Sequence, residues 1–263
     1  MDLGIQNRVA LVAASSSGLG KAVALQLSRE GAKLAICART EENLLKTQEK
    51  IIAETGGIVQ AYTTDVTQGD QVHQMVADIV SKLGTIDILV SNAGGPPPGF
   101  VNDFSPDDYR RAVELNLMST ITLCYEVVPH LKRNRWGRII CITSVSARQP
   151  ISNLILSNTS RAGVLGFAKS LSEQMAPFGI TVNSVCPGYT KTERVEGLAQ
   201  SFVESGKGTL GDFYKTIEAS IPMQRLGTPE EFAHTVAFLS SEGAGYITGI
   251  ALQIDGGYIK SLF

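Results

Sequence analysis

Two polar side chains, Ser157 and Arg161, stand four residues apart in the stretch ISNLILSNTSRAGVLGFAKSLSEQM, Ile151 to Met175. That spacing is about one helical turn, so both face the same way. A serine hydroxyl is a weak acid and needs a separate base before it can do useful proton chemistry. A guanidinium stays charged, offers a planar fork of donors and cannot relay a proton. Upstream, Ser144 in ITSVSA adds a second hydroxyl, and Asn116 in ELNLMS adds an amide. Near the start, AASSSGLG, Ala13 to Gly20, follows an apolar run and opens a helical one. Backbone N–H groups at such a helix start form an anion site, and glycines let a phosphate group approach closely. Ser15, Ser16 and Ser17 add hydroxyls there, while Ala14 stands where the first glycine of such a loop is expected. Glycine also serves ordinary turns, so it is the strand–loop–helix context that favours phosphate binding.

Seven short apolar runs can carry these groups: RVALVAA from Arg8, KLAICA from Lys33, IVQAYT from Ile58, IDILVS from Ile86, GRIICIT from Gly137, ITVNSV from Ile180 and ALQID from Ala251. They are rich in Val and Ile without strict alternation, the pattern of strands buried on both faces. Helical periodicity lies between them, over Lys21–Arg29, Glu41–Glu54, Asp70–Leu83, Pro106–Leu131, Asn153–Met175 and Pro229–Leu239. The alternation predicts an α/β fold: one Rossmann-like, doubly wound parallel sheet of about seven strands with helices on both faces. No linker interrupts it, so residues 1–263 are expected to form a single dinucleotide-binding catalytic domain. Residues 193–221 are too long for an ordinary connection and are expected to form a substrate lid or lobe.

The formal net charge of −2 argues against nucleic acid as a partner. The basic run LKRNRWGR falls where a helix should end, which the helix dipole favours. Cys37, Cys124, Cys141 and Cys186 are widely spaced, and His73, His130 and His234 have no ligand spacing around them. Buried thiols in a reducing compartment are expected, and no metal site. The chain enters directly into RVALVAASS without a leader, and no run reaches membrane-spanning length. A soluble cytoplasmic protein is the expectation, with no membrane partner.

In order, the motifs resemble those of the short-chain dehydrogenase/reductase family, nearest its 3-oxoacyl-(acyl-carrier-protein) reductases. The resemblance covers nearly the whole chain. It rests on the glycine loop, SNAG at Ser91–Gly94, Asn116, Ser144, CPGYTKT at Cys186–Thr192, and PEEFAHTVAFLSSEGAGYITGIALQIDGG. It implies that the Gly18, Leu19 and Gly20 backbone holds a pyrophosphate, with Ser15 and Ser17 beside it. It further implies that Asp65 and Val66 bind adenine, that Asn92, Ala93 and Gly94 line the ribose, and that Pro187, Gly188, Thr190 and Thr192 position the nicotinamide. Plainer readings exist: a turn cap for Asp65, a helix breaker for Asn116 and a structural turn for Pro187–Gly188. NAD binders of the family carry an acidic residue after the second strand, but here Ala38 is followed by Arg39. A guanidinium suits a 2′-phosphate, so NADP is expected rather than NAD.

The family's mechanism uses a tyrosine after the serine and a lysine four residues further on. Alignment through Ser144 puts Ser157 and Arg161 at those positions, and no tyrosine occurs between Tyr125 and Tyr189. Asn116, Ser144, Ser157 and Arg161 are therefore the candidate catalytic residues, the last also a cofactor contact. The leading expectation is an oxidoreductase on a small carbonyl or alcohol, its proton coming from Tyr189 or from a water held by Ser144 and Asn116. A dinucleotide-binding protein without turnover, acting as a sensor or inactive partner subunit, is the alternative. A non-redox lyase ranks last, because halohydrin dehalogenases keep the tyrosine and lose the glycine loop. Phe100 and residues 193–221 are expected to shape the substrate pocket, and a homo-oligomer, a tetramer, is expected from the resemblance.

Overall fold

The computed structural model describes residues 2–262. Seven parallel strands form one sheet: β1 (Val9–Ala13), β2 (Lys33–Ala38), β3 (Val59–Thr63), β4 (Ile88–Ser91), β5 (Gly137–Ile142), β6 (Ile180–Pro187) and β7 (Ala251–Ile254). Their order is β3-β2-β1-β4-β5-β6-β7. All seven coincide with the apolar runs read from the sequence.

Helices α1 (Gly18–Arg29), α2 (Glu41–Thr55) and α9 (Pro229–Leu239) cover one face of the sheet. Helices α3 (Gly69–Leu83), α5 (Ser119–Asn134) and α6 (Ile155–Met175) cover the other. Along β1, Ala10 and Val12 face the first layer while Val9 and Leu11 face the second. With apolar cover on both sides no polar alternation is needed, which explains the continuous hydrophobic strands.

The stretch expected as one helix over Pro106–Leu131 is interrupted. It forms α4 (Pro106–Val113), a π-helical turn at Glu114–Met118, and then α5. The π turn carries Asn116, whose amide hydrogen-bonds Gly94 and Ser160. Residues 193–221 form two helices, α7 (Glu193–Glu204) and α8 (Leu210–Ser220). Their own small cluster, Val195, Ile217, Ile221 and Leu226 with Tyr189, Phe213, Tyr214 and Tyr258, is separate from the two layers on the sheet.

The strand order reverses between β1 and β4, so the chain diverges there and leaves a crevice beyond the carboxyl ends of the strands. Asn92, just after β4, donates to the Ala14 carbonyl across that crevice at 3.4 Å. No helix among the described residues is long and apolar enough to cross a membrane. All four cysteines are buried and free.

Candidate active site

A groove of about 530 Å³ runs along these carboxyl ends, from the turn after β1 to α7. At one end, Ser16, Ser17, Gly18 and Leu19 line it, with Ala38 and Arg39 from β2 and Asp65 and Val66 after β3. Ser17 occupies the N-cap of α1, yet its side chain makes no capping bond, and the first turn has no acidic residue. The N–H groups of that helix start therefore face the groove without a side-chain cap from α1 itself, and the Glu193 carboxylate from α7 lies beside Gly18. Gly18 takes φ +54°, where an L side chain would be strained. Arg39 is exposed and has no acidic partner among the described residues. Asp65 is partly committed, because its Oδ1 accepts from the Thr67 N–H at 3.0 Å and from the Thr67 hydroxyl at 2.8 Å.

Two residues of the expected phosphate loop lie off the groove. Ser15 is fully buried, and its hydroxyl is within hydrogen-bond reach of the Val12 and Cys37 carbonyls at 3.0 and 3.3 Å. It braces β1 to β2 instead of meeting a phosphate, because the chain turns its side chain into the sheet. Gly20 packs against the loop itself, where a Cβ would collide with the Ala14 carbonyl oxygen. Its role is the close approach of helix to strand.

The middle and far wall come from β4, β5, β6 and the turns that follow them. Asn92, Ala93, Gly94, Ser144, Ser157, Arg161, Pro187, Gly188, Thr190 and Thr192 all line the groove. Ser144 caps a short 3-10 turn, its Oγ accepting from the Ser146 N–H at 3.0 Å. Its own proton remains available to an acceptor in the groove. Ser157, 7% exposed, pairs its hydroxyl with that of Ser146 at 3.1 Å.

Arg161 is equally buried. It donates to the carbonyls of Ile142 and Thr143 at 3.3 and 3.0 Å, and to Ala93 at 3.3 Å. These bonds tie the ends of β4 and β5 to α6. Burial first, and the nearby Arg194 charge second, pull its guanidinium down to about 10, with Cys186 opposing. It remains a cation at neutral pH.

Asn116 does not reach the groove. Its Nδ2 donates to the Gly94 carbonyl at 3.0 Å, its Oδ1 accepts from the Ser160 hydroxyl at 3.0 Å, and it is buried. The amide braces the π turn against α6 and the Gly94 loop. Phe100 is 55% exposed and also off the groove. Nearby, Gly95, Ile151 and Leu154 line the groove where Phe100 does not.

Tyr189 is the phenol that lines the groove among the described residues. Burial, then the neighbouring Tyr258 phenol, pushes it up to about 12. Sequence reading did not single out Glu193, Arg194, Val195 or Leu198 individually, although all four line the groove from the first turns of α7. The expectation that residues 193–221 shape the substrate pocket was the sequence signal that pointed to this helix.

Among the described residues, no group of three or more His, Cys, Asp and Glu is placed to hold a metal.

The family sequence model described as enoyl-(acyl carrier protein) reductase matches residues 13–259. A putative ketoacyl reductase of Streptomyces coelicolor is 33% identical over 254 residues, covering 95% of this chain and 97% of that protein. Among solved structures, L-sorbose reductase of Gluconobacter frateurii, complexed with NADPH and L-sorbose, superposes with a TM-score of 0.95 at 30% identity, covering both chains completely. YwfH, an NADPH-dependent reductase involved in bacilysin biosynthesis, superposes at 0.92 with 31% identity, covering 98% of this chain and 100% of that one.

Proposed function

The chain belongs to the short-chain dehydrogenase/reductase family, and on that premise we propose that it is an NADP(H)-dependent oxidoreductase acting on a carbonyl/alcohol pair through an atypical catalytic site. The observation that carries this reading is the single groove joining the open start of α1, the unpaired Arg39, and the Ser144–Ser157–Arg161 group. The solved relatives named above that carry or use NADPH support the same cofactor choice. Bound there, the dinucleotide supplies or accepts the hydride.

The protein's own groups do the rest. Gly18 and Leu19 offer backbone N–H groups to a pyrophosphate, with Ser17 beside them, and Arg39 offers its fork to the 2′-phosphate. Asp65 and Val66 border the adenine, and Asn92, Ala93 and Gly94 the sheet centre. Pro187, Gly188, Thr190 and Thr192 hold the carboxamide side. Ser144 donates its free proton to the substrate oxygen, polarising the carbonyl. Arg161 keeps a positive charge beside that oxygen, and the donors it does not give to the three carbonyls can meet ribose hydroxyls.

For each hydride delivered to carbon, one proton must reach oxygen. Ser157 stands where the family's tyrosine would, so the proton comes from water through the Ser157–Ser146 hydroxyl pair or from Tyr189. Residues 193–221 act as the substrate lobe of a single domain. Free buried thiols suit a reducing, cytoplasmic compartment. We also propose a homotetramer, with α5, which exposes Tyr125 at 75%, in one interface; light scattering that gives a monomer mass at micromolar concentration would contradict it.

A non-catalytic dinucleotide binder remains the second reading, favoured by one observation. Arg161 serves as a strut for three carbonyls, a role that needs no turnover. Fluorescence titration with NADPH and NADH, followed by a screen of carbonyls and alcohols, separates the two. Tight NADPH binding with turnover is expected. Binding without turnover on any substrate gives the second reading, and absence of dinucleotide binding refutes both.

A further inference from the structure

The substrate end of the groove carries two cations that no carboxylate neutralises. Arg194, in the first turn of α7, donates one bond, to the Pro96 carbonyl at 2.7 Å, and its guanidinium packs over Gly95. A guanidinium has five donors, so the others have no acceptor among the described residues. No Asp or Glu lies within ion-pair distance of either Arg194 or Arg161 among those residues. The acidic groups that line the groove are elsewhere. Asp65 follows β3 at the far edge of the sheet, and Glu193 points at Gly18, its Oε2 3.6 Å from the place of a Cβ there.

Two like charges gathered at one end of a partly closed cavity repel each other, and an anion between them removes that cost. That they sense each other is evident in Arg161, where the Arg194 charge adds to burial in disfavouring the protonated form. Arg194 is itself held below its ordinary range by burial. Ile151, Leu154, Val195 and Leu198 add apolar lining to the same groove. A charged head and an apolar lining match a small organic acid better than a neutral sugar or a long neutral chain.

We propose that Arg194 is a specificity-determining residue that binds a carboxylate of the substrate, so that the substrate class is small oxo acids and their hydroxy-acid counterparts. This rests on the oxidoreductase reading above. The reaction balances as one hydride to the carbonyl carbon and one proton to its oxygen, with the carboxylate unchanged. Arg161 remains at the reacting carbonyl, while Arg194, anchored on the Gly95–Pro96 loop, fixes the distance from carboxylate to carbonyl.

The test compares 2-oxo to 5-oxo acids with their methyl esters on the wild-type protein with NADPH. At least one acid should exceed its ester by about 10- to 100-fold in kcat/KM, the range of a lost charge-assisted hydrogen bond. In Arg194→Gln that ratio should fall to near one, and Arg194→Lys should restore part of it, since charge returns without the fork. A second readout does not need turnover: calorimetric titration of the matching hydroxy acids into the complex with NADP⁺. Acid binding that is absent for the ester and weakened in Arg194→Gln supports the proposal even if no reduction is seen, in which case only the oxidoreductase reading fails. Esters that react or bind as well as acids on wild type overturn the proposal, and so does the absence of binding by every acid. So does an acid preference that Arg194→Gln, melting like wild type, leaves unchanged.

Discussion

At the glycine-loop end of the groove, backbone does the work. Ser17 leaves the start of α1 uncapped, Gly18 turns with positive φ, and Ser15 faces inward to hold the loop to the sheet. At the Ser157 end, side chains make the bonds, to one another and to the backbone: Ser157 with Ser146, Ser144 with the Ser146 N–H, Asn116 with Ser160, and Arg161 with three main-chain carbonyls. The first end is a socket built from backbone groups, with the Glu193 carboxylate beside Gly18. The second is a network that is largely satisfied by its own members and keeps few free donors for chemistry. A backbone socket depends on the glycines that let the chain approach closely, whereas a side-chain network changes its chemistry with each substitution.

The strongest test of this contrast rewrites the network. Ser157→Tyr with Arg161→Lys restores a phenol next to an ammonium, and carbonyl reduction is expected to rise about 10²-fold, within the range of positioned proton donors. Steady-state NADPH oxidation checks it. Should the double variant be slower than an already efficient wild type, another acid is in use, and Tyr189→Phe should then lower turnover.

A second test strikes the socket. Gly20→Ala forces a Cβ against the Ala14 carbonyl oxygen and close to the Asn92 amide. A loss of about 2 kcal/mol in urea unfolding is expected from such overpacking, with weakened NADPH binding. Unchanged stability would mean that helix and strand can separate there at little cost.

Arg39→Asp alters the rim of the socket without entering it. The preference for NADPH over NADH should fall by about 10-fold or more, since one charge-assisted contact to the 2′-phosphate is replaced by repulsion. Equal titration of the two cofactors by wild type would sink the assignment.

The smallest effect is one of pH. Tyr189 has its phenol raised to about 12 by burial and by Tyr258, so the folded state holds that proton more tightly than the unfolded state does. The associated stability is complete below about pH 10 and is lost as pH rises through about 12. Thermal melts from pH 8 to 11 should show wild type losing stability relative to Tyr189→Phe only in the upper part of that range. A gap that stays constant to pH 11 would argue against a buried phenol there.

Much of this was legible in the residues. The seven strands follow from apolar runs, and the glycine-loop start of α1 follows from a strand, a glycine loop and a helix in succession. The break of the long helix at Glu114–Met118 was not legible, because Pro106–Leu131 keeps its apolar period through it. The extra residue in that turn is accommodated where Asn116 bonds to Gly94 and Ser160, partners 22 and 44 residues away.

Local physics explains the division. Strand, helix and turn preferences act over a few neighbours, so the sequence by itself determined the parallel sheet and the succession of strand, glycine loop and helix at its start. The direction of a side chain at a crossing of elements depends on contacts made only after folding. Tertiary structure alone turned Ser15 into the sheet, removed Asn116 and Phe100 from the groove, tied Arg161 to three strand-end carbonyls, and brought Arg194 across 98 residues of chain to Pro96.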